Sequence, residues 1–559
     1  MRWQISGKPQ ARKTSKRREE IIALLSKNRG LKTKKQQENF FHPLNPLKIA
    51  LRQVGISSVQ MKKAIARVKK AIKNKEKIIV YGDYDADGIC ATAIVWEALD
   101  CFGAQAMPFI PQREEGYGLK TERVKQMASQ GTSLIITVDQ GIVHSRQVNS
   151  AKKIGVDVIV TDHHEPGKKK PSAAAVIHTT QLAGAGVAWF FARELLKGSR
   201  RPQVLKFKNE KMYDLDLATI GTITDMVPLL GASRSIVKDG LALLRKTKRL
   251  GLQALYDFAL INKEKIGTYE VGFMIGPRLN AAGRMGDPLE SLRLVCTRDE
   301  NRAIALAQKV DQANRNRRTL MEDTTRHARN LWLEQDGQSP LIFVFHKNFE
   351  HGVVGLVASR LKDEFYRPAV VLGSRGENWV ASARSIEEFS IVSAIRALKK
   401  HIGDHGGHRL AAGFSVSSQN LDFVRQGLVD QAKKKLDQID LAPRLEVEAE
   451  VQLSDINQKL VAQINSFEPF GKGNPEPVLV VRNVQVTEYR VVGGKGRHLL
   501  ANFQSPDLKQ PIRGIGFGLG HFSQDLSSSD PVDIAFIPQI NEWQGRKNLQ
   551  LKIKDIKLD

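Results

Sequence analysis

The chain has 559 residues, of which 41% are hydrophobic, and this length exceeds what one hydrophobic core supports. No apolar run approaches the ~18 residues of a membrane-spanning helix, and the basic N-terminus lacks the apolar stretch of a secretory signal, so neither a membrane protein nor a secreted one is expected. The net charge of +27 instead predicts a polyanionic partner, of which nucleic acid is the commonest.

The basic residues are concentrated at the start of the chain, in ARKTSKRREE and KNRGLKTKK. Residues 1–45 are therefore interpreted as a basic N-terminal arm. Two interpretations of the arm are open, a solvated and partly disordered segment or a contact with nucleic acid. Composition does not distinguish DNA, RNA and ribosome binding.

The cysteines are few and widely spaced. Cys90, Cys101 and Cys296 lack the spacing of a metal site and are too few for a disulfide framework. Free, buried thiols of this kind are typical of a reducing compartment. A cytoplasmic protein is expected.

Strand and helix signals alternate over residues 46–298, which we interpret as one domain with a helical extension. The predicted strands are KIIVYG, AMPFIP, SLIITVD, VDVIVTD and AAAVIH, and helical stretches such as TERVKQMASQG separate them. This alternation predicts an α/β domain with a parallel sheet covered by helices. The helical extension runs from VAWFFARELLK to LGLQALYDFAL.

Three further segments complete the expected architecture. Residues 299–334 contain no Gly or Pro and predict one long connecting helix. A second α/β domain begins at PLIFVFH and occupies residues 335–441. Residues 442–559 are rich in short strands and Gly-rich turns, which predicts a small β-barrel of the OB-fold type. Phe517 and Trp543 in this barrel are candidates for base stacking or for the barrel core.

The stretch DYDADG presents three carboxylates at alternate positions, those of Asp83, Asp85 and Asp87. It matches the opening of an EF-hand calcium loop, but that loop needs a Glu at position twelve and helices on both sides. Position twelve is Ile94, and the preceding segment is a predicted strand. The calcium interpretation is therefore rejected.

Carboxylates and imidazoles also follow two other predicted strands. Asp139 ends SLIITVD, and Asp162, His163 and His164 follow VDVIVT. Because the carboxyl ends of parallel strands meet at one edge of a sheet, we expect these side chains to converge with those of DYDADG. Such close carboxylates repel one another unless cations neutralise them, and the mixed ligand set fits Mn²⁺ or a similar ion better than Ca²⁺. The ligands suffice for two ions that share a carboxylate, an arrangement that activates water for displacement at phosphorus.

Four of these segments, GDYDADG, VDQG, TDHHE and GTITDMVP, closely resemble the motifs of the DHH phosphoesterase superfamily. GPRLNAAGRMGDP, SARSIEEF, GGHRLAAGF and FEPFGKGNPEP resemble its RecJ branch, the single-stranded-DNA-specific 5′→3′ exonucleases. The resemblance covers about residues 40–559 and implies a DHH domain, a DHHA1 domain and an OB domain, in that order. The implied activity is two-metal hydrolysis of phosphodiesters from the 5′ end, with release of nucleoside 5′-monophosphates in recombination and repair.

The resemblance also implies a ligand set for two Mn²⁺ ions, with Mg²⁺ as a substitute. The implied ligands are Asp85, Asp87, Asp139, His163 and Asp225. Asp139 is the expected bridge between the ions, which gives it a catalytic role, whereas Asp225 lies in a helical segment and escapes the argument from strand ends. Asp83 is either a further ligand or an acceptor in the loop. His164 is expected to face the scissile phosphate, as a donor to its oxygen or as a relay to the leaving group.

The resemblance further places a phosphate site in the second lobe, where small residues, backbone N–H groups and cations suit an anion. The residues expected to bind substrate are Arg113, Tyr117, Arg278, Asn280, Arg284, Ser382, Arg384, Gly407 and His408. A pocket that requires a 5′ phosphate would explain the polarity, because it fixes a one-nucleotide distance to the metals. A narrow channel between the lobes would select single strands by shape.

The chain departs from the family pattern at several positions. IHTTQ places His178 where Asn or Pro is usual, and NFEHGVVG lacks the usual Trp, so His351 is left out of the site. VDQG replaces the commoner VDNG or VDCG. These changes bear on substrate details more than on the metal ligands.

Two alternative functions are weighed against the exonuclease. A phosphodiesterase for short oligonucleotides or cyclic dinucleotides would use the same metals, but it has no need of an OB segment. A binding protein without activity would have lost ligands, whereas every ligand position is filled here. The implied partners are single-stranded DNA with a 5′ end, a single-strand-binding protein (SSB) and a RecQ-type helicase, with no membrane.

Overall fold

The computed structural model describes the chain except for residues 11–13, 117, 206–211, 213, 336, 527–530, 544 and 559. The strands are β1 (Arg2–Ile5), β2 (Lys77–Tyr81), β3 (Ala106–Phe109), β4 (Thr132–Val138), β5 (Asp157–Asp162), β6 (Ala175–His178), β7 (Ile342–His346), β8 (Ala369–Arg375), β9 (Asn378–Arg384), β10 (His405–His408), β11 (Ala411–Ser417), β12 (Arg444–Val447), β13 (Ala449–Glu450), β14 (Leu479–Val492), β15 (His498–Gln504), β16 (Ile512–Gly516), β17 (Pro531–Trp543) and β18 (Arg546–Leu558).

The helices are α1 (Thr14–Asn28), α2 (Lys34–Phe41), α3 (Ser58–Lys73), α4 (Ala86–Asp100), α5 (Thr121–Ser129), α6 (Ser145–Lys153), α7 (Gly184–Leu196), α8 (Leu215–Thr224), α9 (Gly231–Leu244), α10 (Leu250–Phe258), α11 (Gly276–Met285), α12 (Leu289–Cys296), α13 (Glu300–Gln335), α14 (His351–Phe365), α15 (Ile391–Ala397), α16 (Leu421–Leu436) and α17 (Gln458–Asn465). A π-helical turn, Glu270–Ile275, runs directly into α11. Among the described helices, none has both the length and the apolar character that crossing a membrane demands.

The first domain is built on a parallel sheet in the order β3-β2-β4-β5-β6, as the alternating pattern predicted. Alternate residues of the strands are buried on opposite faces. Ile78 and Val80 pack in the larger core with α4 and α7, and Ile79 and Tyr81 pack in the core with α5 and α6. The strand order reverses direction between β2 and β4, and such a switch point leaves a crevice at the carboxyl ends of the two strands.

The helical extension is fixed to α4 by a buried ion cluster. Arg249 donates to Glu97 of α4 over 2.9 Å and to Asp216 of α8 over 3.0 Å, and it also contacts Asp214. The three carboxylates surround one guanidinium that is itself buried. Removal of one partner from such a cluster leaves buried charge uncompensated, so the cluster fixes the position of α4 relative to α8.

The long connecting helix predicted over residues 299–334 is confirmed as α13. It leads to a second sheet in the order β10-β11-β9-β8-β7, in which β7 and β8 are parallel and the other pairs antiparallel. One face of this sheet packs on α15 and α16, and the other packs on α13 and α14. The second α/β domain is therefore also present as predicted.

The C-terminal segment forms a barrel in the order β13-β14-β15-β16-β18-β17, and β17 returns to pair with β14. This closure removes the free edges of the sheet, and the OB-type barrel is confirmed. Strand β16 and helix α17 were not predicted from the sequence. Phe517 is 58% exposed and contacts His498, whereas the side chain of Trp543 lies outside the described residues.

The described part of residues 1–45 packs on this barrel, which corrects the interpretation as a solvated, partly disordered arm. Strand β1 pairs in parallel with β12, and Leu25 and Phe40 are buried in the barrel core. Arg17 forms a buried ion pair with Asp455, with Nη2 2.8 Å from the carboxylate. Because lysine and arginine are so frequent in this segment, its sequence did not show an amphipathic helix. The apolar side chains of that helix pack against those of the barrel core.

Arg234 connects the helical extension to the barrel and to the N-terminal segment. Its guanidinium donates to the carbonyl oxygens of Phe40, Phe467, Glu468 and Pro469 over 2.7–3.3 Å, and it lies over the ring of Phe40. Burial, together with the charge of a second arginine, lowers its pKa to about 10. A buried cation held by carbonyl dipoles makes this junction specific.

We predict that replacing Arg234 with Ala destabilises the docking of the barrel by about 3 kcal/mol, because several buried carbonyls lose a charged donor. Thermal unfolding and limited proteolysis report this change. The matched control is Arg326→Ala, since Arg326 forms an exposed pair with Asp323 on α13 and should change little. Equal stability of both variants would contradict the role given to Arg234.

Candidate metal centre and phosphate site

The loop between β2 and α4 positions the first carboxylates through helix capping. Asp85 is the N-cap of α4, where its side chain accepts from the backbone N–H of Gly88 over 2.9 Å. Asp87, in the first turn, accepts from the backbone N–H groups of Gly184 and Ala185 over 2.7 and 2.8 Å. These two donors begin α7, so the positive end of that helix holds a buried carboxylate.

Asp139 follows β4 with a φ of +59°, an unfavourable backbone conformation for a residue other than Gly, and its side chain is 3% exposed. Two glycines, which have no side chain, leave space for these carboxylates. A Cβ on Gly184 would lie 2.3 Å from Asp139 Oδ1, and one on Gly221 would lie 2.2 Å from Asp87 Oδ1. Both helices therefore approach the carboxylates more closely than any residue with a side chain permits.

His163 joins the two sides of this cluster. Its Nε2 lies 3.1 Å from Asp139 Oδ1, and its Nδ1 lies 3.7 Å from Asp225 Oδ2. Asp225 is the C-cap of α8, where the helix dipole disfavours a negative charge. Burial lowers the pKa of His163 to about 4, so the ring is neutral near pH 7, as metal binding requires.

Asp162 and His164 form a separate pair beside this cluster. Asp162 accepts from the backbone N–H groups of Ile142, His163 and His164, and His164 Nδ1 lies 2.8 Å from it. Although burial opposes the charge, hydrogen bonding to Asp162 raises the pKa of His164 to about 9. The pair therefore presents a cationic imidazole beside carboxylates, and Asp162 orients the DHH segment.

The remaining carboxylates have too little positive charge around them. Burial, together with the charge of Asp85, raises the pKa of Asp83 to about 8 and that of Asp225 to about 7. Burial and neighbouring carboxylates raise the pKa values of Asp87 and Asp139 well above the ordinary range. Such a cluster is stable at neutral pH only with added protons or added cations.

The donor atoms are close enough to share cations. Three groups have donor atoms within 4.8 Å of one another: Asp139, His163 and His164; Asp87, His163 and Asp225; Asp83, Asp85 and Asp139. The structure thus brings together every metal ligand and catalytic residue predicted from the sequence. Asp139 and His163 each belong to two groups, and of the two only a carboxylate has a pair of oxygens with which to bridge ions. Buried carboxylate and imidazole donors fit Mn²⁺ or Mg²⁺, although the ligand roles of these residues stay predictions.

An arginine cluster lies next to the metal loop. Arg113 stacks on the ring of Tyr84 at 4.7 Å and donates to the carbonyl of Gly283, and Arg284 donates to the carbonyl of Gly352 in α14. Burial and the charges of Arg113 and Arg317 lower the pKa of Arg284 to about 10. In the described part of the chain, none of these guanidinium groups has a carboxylate within ion-pair distance, so the cluster favours an anion.

The second domain has a further group of polar and basic side chains on one face of its sheet. Ser382 and Arg384 lie on the same face of β9, with Arg384 Nη1 3.2 Å from Ser382 Oγ. His408, Ala411 and Arg384 are paired across β10, β11 and β9, so a small methyl separates two basic side chains on one face. Gly407 has a φ of +135°, which favours glycine. This basic surface suits a phosphate.

Four other residues from the sequence analysis have different positions. Arg278 donates to Asp311 of α13 over 2.8 Å, which ties it to the long helix, and Asn280 accepts from the backbone N–H of Ala86 over 2.8 Å. Their contacts with substrate stay predictions. Tyr117 lies outside the described residues. His351 Nε2 lies 3.1 Å from the carbonyl oxygen of Ser374, and its exclusion from the site stays a prediction.

Sequence reasoning missed several residues of the site. Gly184 and Gly221 belong to helical segments, where glycine lowers helix stability. Glycine at such positions can therefore indicate that another group approaches the helix backbone closely. Arg317 lies in the arginine-rich stretch NRNRR of α13, whose direction the sequence does not show. His178 Nε2 lies 2.7 Å from the carbonyl of His164, so this departure from the family pattern contacts the DHH segment directly.

Comparison with known families matches three parts of the chain. Residues 77–222 match the DHH family, N-terminal domain, residues 338–438 match the DHHA1 domain, and residues 447–555 match the RecJ OB domain. All three models follow the order of the observed domains, and the first includes the loops of the parallel sheet that carry the predicted metal ligands from Asp83 to His164.

Individual proteins resemble the chain over nearly its whole length. The "Single-stranded-DNA-specific exonuclease RecJ" of Bacillus subtilis (strain 168) is 35% identical over 572 residues, which cover 99% of this chain and 70% of that protein. The crystal structure of RecJ in complex with Mn²⁺ from Thermus thermophilus has a TM-score of 0.81 and 29% identity, and covers 100% of this chain and 80% of that one. The Mg²⁺ complex from the same organism has a TM-score of 0.75 and 26% identity, with 100% and 78% coverage.

We predict that Gly184→Ala and Gly221→Ala each abolish binding of Mn²⁺, because the new methyl displaces a ligand carboxylate. Isothermal titration with MnCl₂ measures the binding. Gly494→Ala is the control, since a Cβ there meets no atom within 4 Å. Wild-type affinity in both helix variants would show that these carboxylates do not bind the metal.

We also predict that Mn²⁺ raises the melting temperature more at pH 8 than at pH 6. The folded pKa values of Asp83 (about 8) and Asp225 (about 7) exceed their usual value of 3.8, so the folded apoprotein binds extra protons. The stability that these two protonated carboxyl groups contribute is fully present below pH ~4 and is lost as pH rises through pH 7–8. Cations replace those protons at high pH. An Mn²⁺-induced shift that is equal at both pH values would refute this coupling, and Asp139→Asn should reduce the shift at each.

Proposed function

The chain belongs to the RecJ family of DHH phosphoesterases, and on this premise we propose that it is a metal-dependent exonuclease specific for single-stranded DNA. It removes nucleotides from the 5′ end and releases nucleoside 5′-monophosphates. The observation that carries the proposal is the convergence of five buried or half-buried ligands, Asp85, Asp87, Asp139, His163 and Asp225, beside the arginine cluster.

Different residues of the chain would have different roles in hydrolysis. Bound at this site, Mn²⁺ would supply an activated water and neutralise charge on the phosphate oxygens. Asp85, Asp87, Asp139, His163 and Asp225 would hold it, and Asp83 completes the acidic wall. Asp162 contacts His164 Nδ1 over 2.8 Å and so orients the ring, and Nε2 of the same ring would donate to an oxygen of the scissile phosphate. Of the two roles open for His164, this geometry favours the donor.

Polarity follows from the phosphate site in the DHHA1 domain. Ser382, Arg384 and His408 share one face of the sheet, and Arg284 connects that domain to the metal domain through Gly352. We assign the 5′ phosphate to this surface, where Arg384, which has no carboxylate partner among the described residues, would recognise a dianion. The strand is then cut at the first phosphodiester that reaches the metals.

The alternative, a phosphodiesterase for short oligonucleotides or cyclic dinucleotides, uses the same metals. The barrel argues against this alternative. It is docked on the metal domain through the hydrogen bonds of Arg234, and a dinucleotide bound at the metals would be too short to extend to it. A binding role without activity is also disfavoured, because all ligand positions are filled and lie together.

Finer assignments belong to the same proposal. We retain the proposed division of the chain into residues 1–45, 46–298, 299–334, 335–441 and 442–559. Residues 1–45 are assigned to the support of the barrel. SSB and a RecQ-type helicase are proposed partners, on the strength of the family, and a reducing cytoplasm suits the free cysteines.

The proposal predicts early release of the 5′ label from end-labelled 20-mers incubated with Mn²⁺. A 5′-phosphorylated strand should be degraded faster than a 5′-hydroxyl strand, and Arg384→Ala should reduce that difference about tenfold or more, since it removes a charge-assisted contact. The control variant is Arg326→Ala on the surface of α13. First release of the 3′ label, or faster turnover of dinucleotides than of 20-mers, would contradict the proposal.

A further inference from the structure

Gln140, the residue by which VDQG departs from the family pattern, follows Asp139 directly and is fully buried. Its side-chain Nε2 donates to the carbonyl of Gly82 over 2.9 Å. Gly82 immediately precedes Asp83, so this hydrogen bond joins the loop after β4 to the loop after β2. Both loops carry predicted metal ligands, and none of the roles assigned above uses Gln140.

The contact lies beyond the end of the β2–β4 ladder. The two strands are paired in parallel up to Tyr81 and Thr137, after which the chain leads into α4 on one face of the sheet and toward α6 on the other. Strands at such a switch point separate at their carboxyl ends. Backbone pairing therefore stops before the ligands, and the amide of Gln140 supplies a hydrogen bond between the two loops past that point.

The backbone of the turn that carries Gln140 is held by the preceding strand. Thr137 Oγ1 donates to the carbonyl of Gln140 over 2.9 Å. A Cβ on Gly141, whose φ is +115°, would lie 2.6 Å from the same hydroxyl. Asp139, between these contacts, has a left-handed φ of +59°. Such a conformation persists only where the surroundings fix it, so the contacts of Gln140 bear directly on the orientation of the Asp139 carboxylate.

The acceptor of the hydrogen bond is also fixed in place. Gly82 N–H donates to the carbonyl of Phe109 over 2.9 Å, and a Cβ on Gly82 would clash with Thr92 Oγ1 in α4. Asp85 is the N-cap of the same helix. The loop of Asp83 and Asp85 therefore begins at a residue that is held by β3, by α4 and by the side chain of Gln140.

The second polar atom of the Gln140 amide shows that the side chain does not serve overall stability. Its Oε1 is buried and accepts no hydrogen bond from the described residues. With Met at this position that unpaired acceptor would be absent, and the carbonyl of Gly82 would lose its side-chain donor instead. Since one unpaired acceptor replaces another, the amide adds little net stability. What it adds is a directed contact between two ligand loops.

We propose that Gln140 is a positioning residue for one of the two ions. Asp83, Asp85 and Asp139 have donor atoms within 4.8 Å of one another. The amide of Gln140 fixes Asp139 relative to the other two carboxylates, and thereby sets the affinity for the ion that these three would hold. Partners of this kind, which orient ligands without touching the metal, affect metal affinity strongly.

The other ion should depend on Gln140 much less. Its expected ligands include Asp87, His163 and Asp225, which form a separate group of close donor atoms. Asp87 is held by backbone N–H groups at the start of α7, and Asp225 ends α8, so neither is fixed through the loop after β4. The proposal therefore requires selective weakening of one ion.

Titration of the metal-free protein with MnCl₂ tests this selectivity, with calorimetry and electron paramagnetic resonance of unbound Mn²⁺ as readouts. The wild-type protein should bind two ions. In Gln140→Met, one ion should bind nearly as in the wild type and the other about 10–100-fold more weakly, as is typical when a partner of a ligand is lost. Unchanged binding of both ions, or equal weakening of both, overturns the inference.

Ser291→Ala is the matched control for loss of a buried hydrogen bond. Ser291 is buried and its Oγ donates to the carbonyl of Leu279 over 2.8 Å, away from the ligand loops. This variant should bind both ions as the wild type does. Should Gln140→Met not fold, Gln140→Asn takes its place, because it keeps the amide but withdraws it by one methylene. The same selective weakening is expected there, and its absence would overturn the inference.

A double variant identifies which ion is affected. Asp225→Asn removes a ligand from the second group, so Gln140→Met/Asp225→Asn should bind both ions about tenfold or more weakly than the wild type. If the double variant still binds one ion as well as Gln140→Met does, Gln140 acts on the ion of Asp225, and the assignment to Asp83, Asp85 and Asp139 is wrong.

Activity separates positioning of the ion from other roles. With the 5′-phosphorylated 20-mer, the Mn²⁺ concentration for half-maximal kcat should rise about tenfold or more in Gln140→Met, whereas kcat at saturating Mn²⁺ should return to the wild-type value. A kcat that stays low at saturating Mn²⁺ would contradict a role through the ion. This measurement alone rests on the proposed function. If the wild-type protein binds two ions but does not degrade the strand, the proposed function fails and the titrations still decide the role of Gln140.

Discussion

The structure depends on one electrostatic constraint, a group of carboxylates buried at the switch point of a parallel sheet with too few cations of their own. Asp87 and Asp139 are almost fully inaccessible, and their charge is opposed by burial and by each other. Backbone donors at the start of α7 and the close approach of Gly184 and Gly221 hold the carboxylates in place without neutralising them. The fold therefore maintains a negative cavity that divalent cations complete, and the buried cluster around Arg249 fixes the helices that line it.

The strong basicity of the chain has a partly structural purpose. Arg17 pairs with Asp455 and Arg29 pairs with Glu448, which fixes the N-terminal segment to the barrel, and Arg234 binds carbonyls of both, which fixes them to the metal domain. Other arginines, among them Arg113, Arg284 and Arg384, lie at the surfaces proposed for phosphate. Charge composition alone cannot separate these uses, because a buried guanidinium and a phosphate-binding one contribute equally to the net charge.

The sequence predicted the fold well wherever a pattern was local. Strands β2 to β6 and α13 follow from periodicity and from the absence of Gly and Pro, and Asp139 and His163 follow from their positions at strand ends. Asp225 required the family resemblance, since a helix C-terminus gives no such signal. The packed N-terminal segment and the partner of Arg278 depend on contacts across more than two hundred residues or between helices, which periodicity does not encode.

Selectivity for single strands is a property of the assembly and not of the metal centre. The same carboxylates could hydrolyse any phosphodiester that reaches them, so discrimination must precede chemistry. Helix α11 contacts the DHHA1 domain at one end through Arg284, and near its other end it lines a groove with the loop 468–476 of the barrel. Arg234 and Leu229 fix the barrel wall, and Gly352 fixes the DHHA1 wall, so the width of the path is set by contacts remote from the ligands. A duplex, which carries a second backbone, would have to separate these walls, whereas a single strand would not.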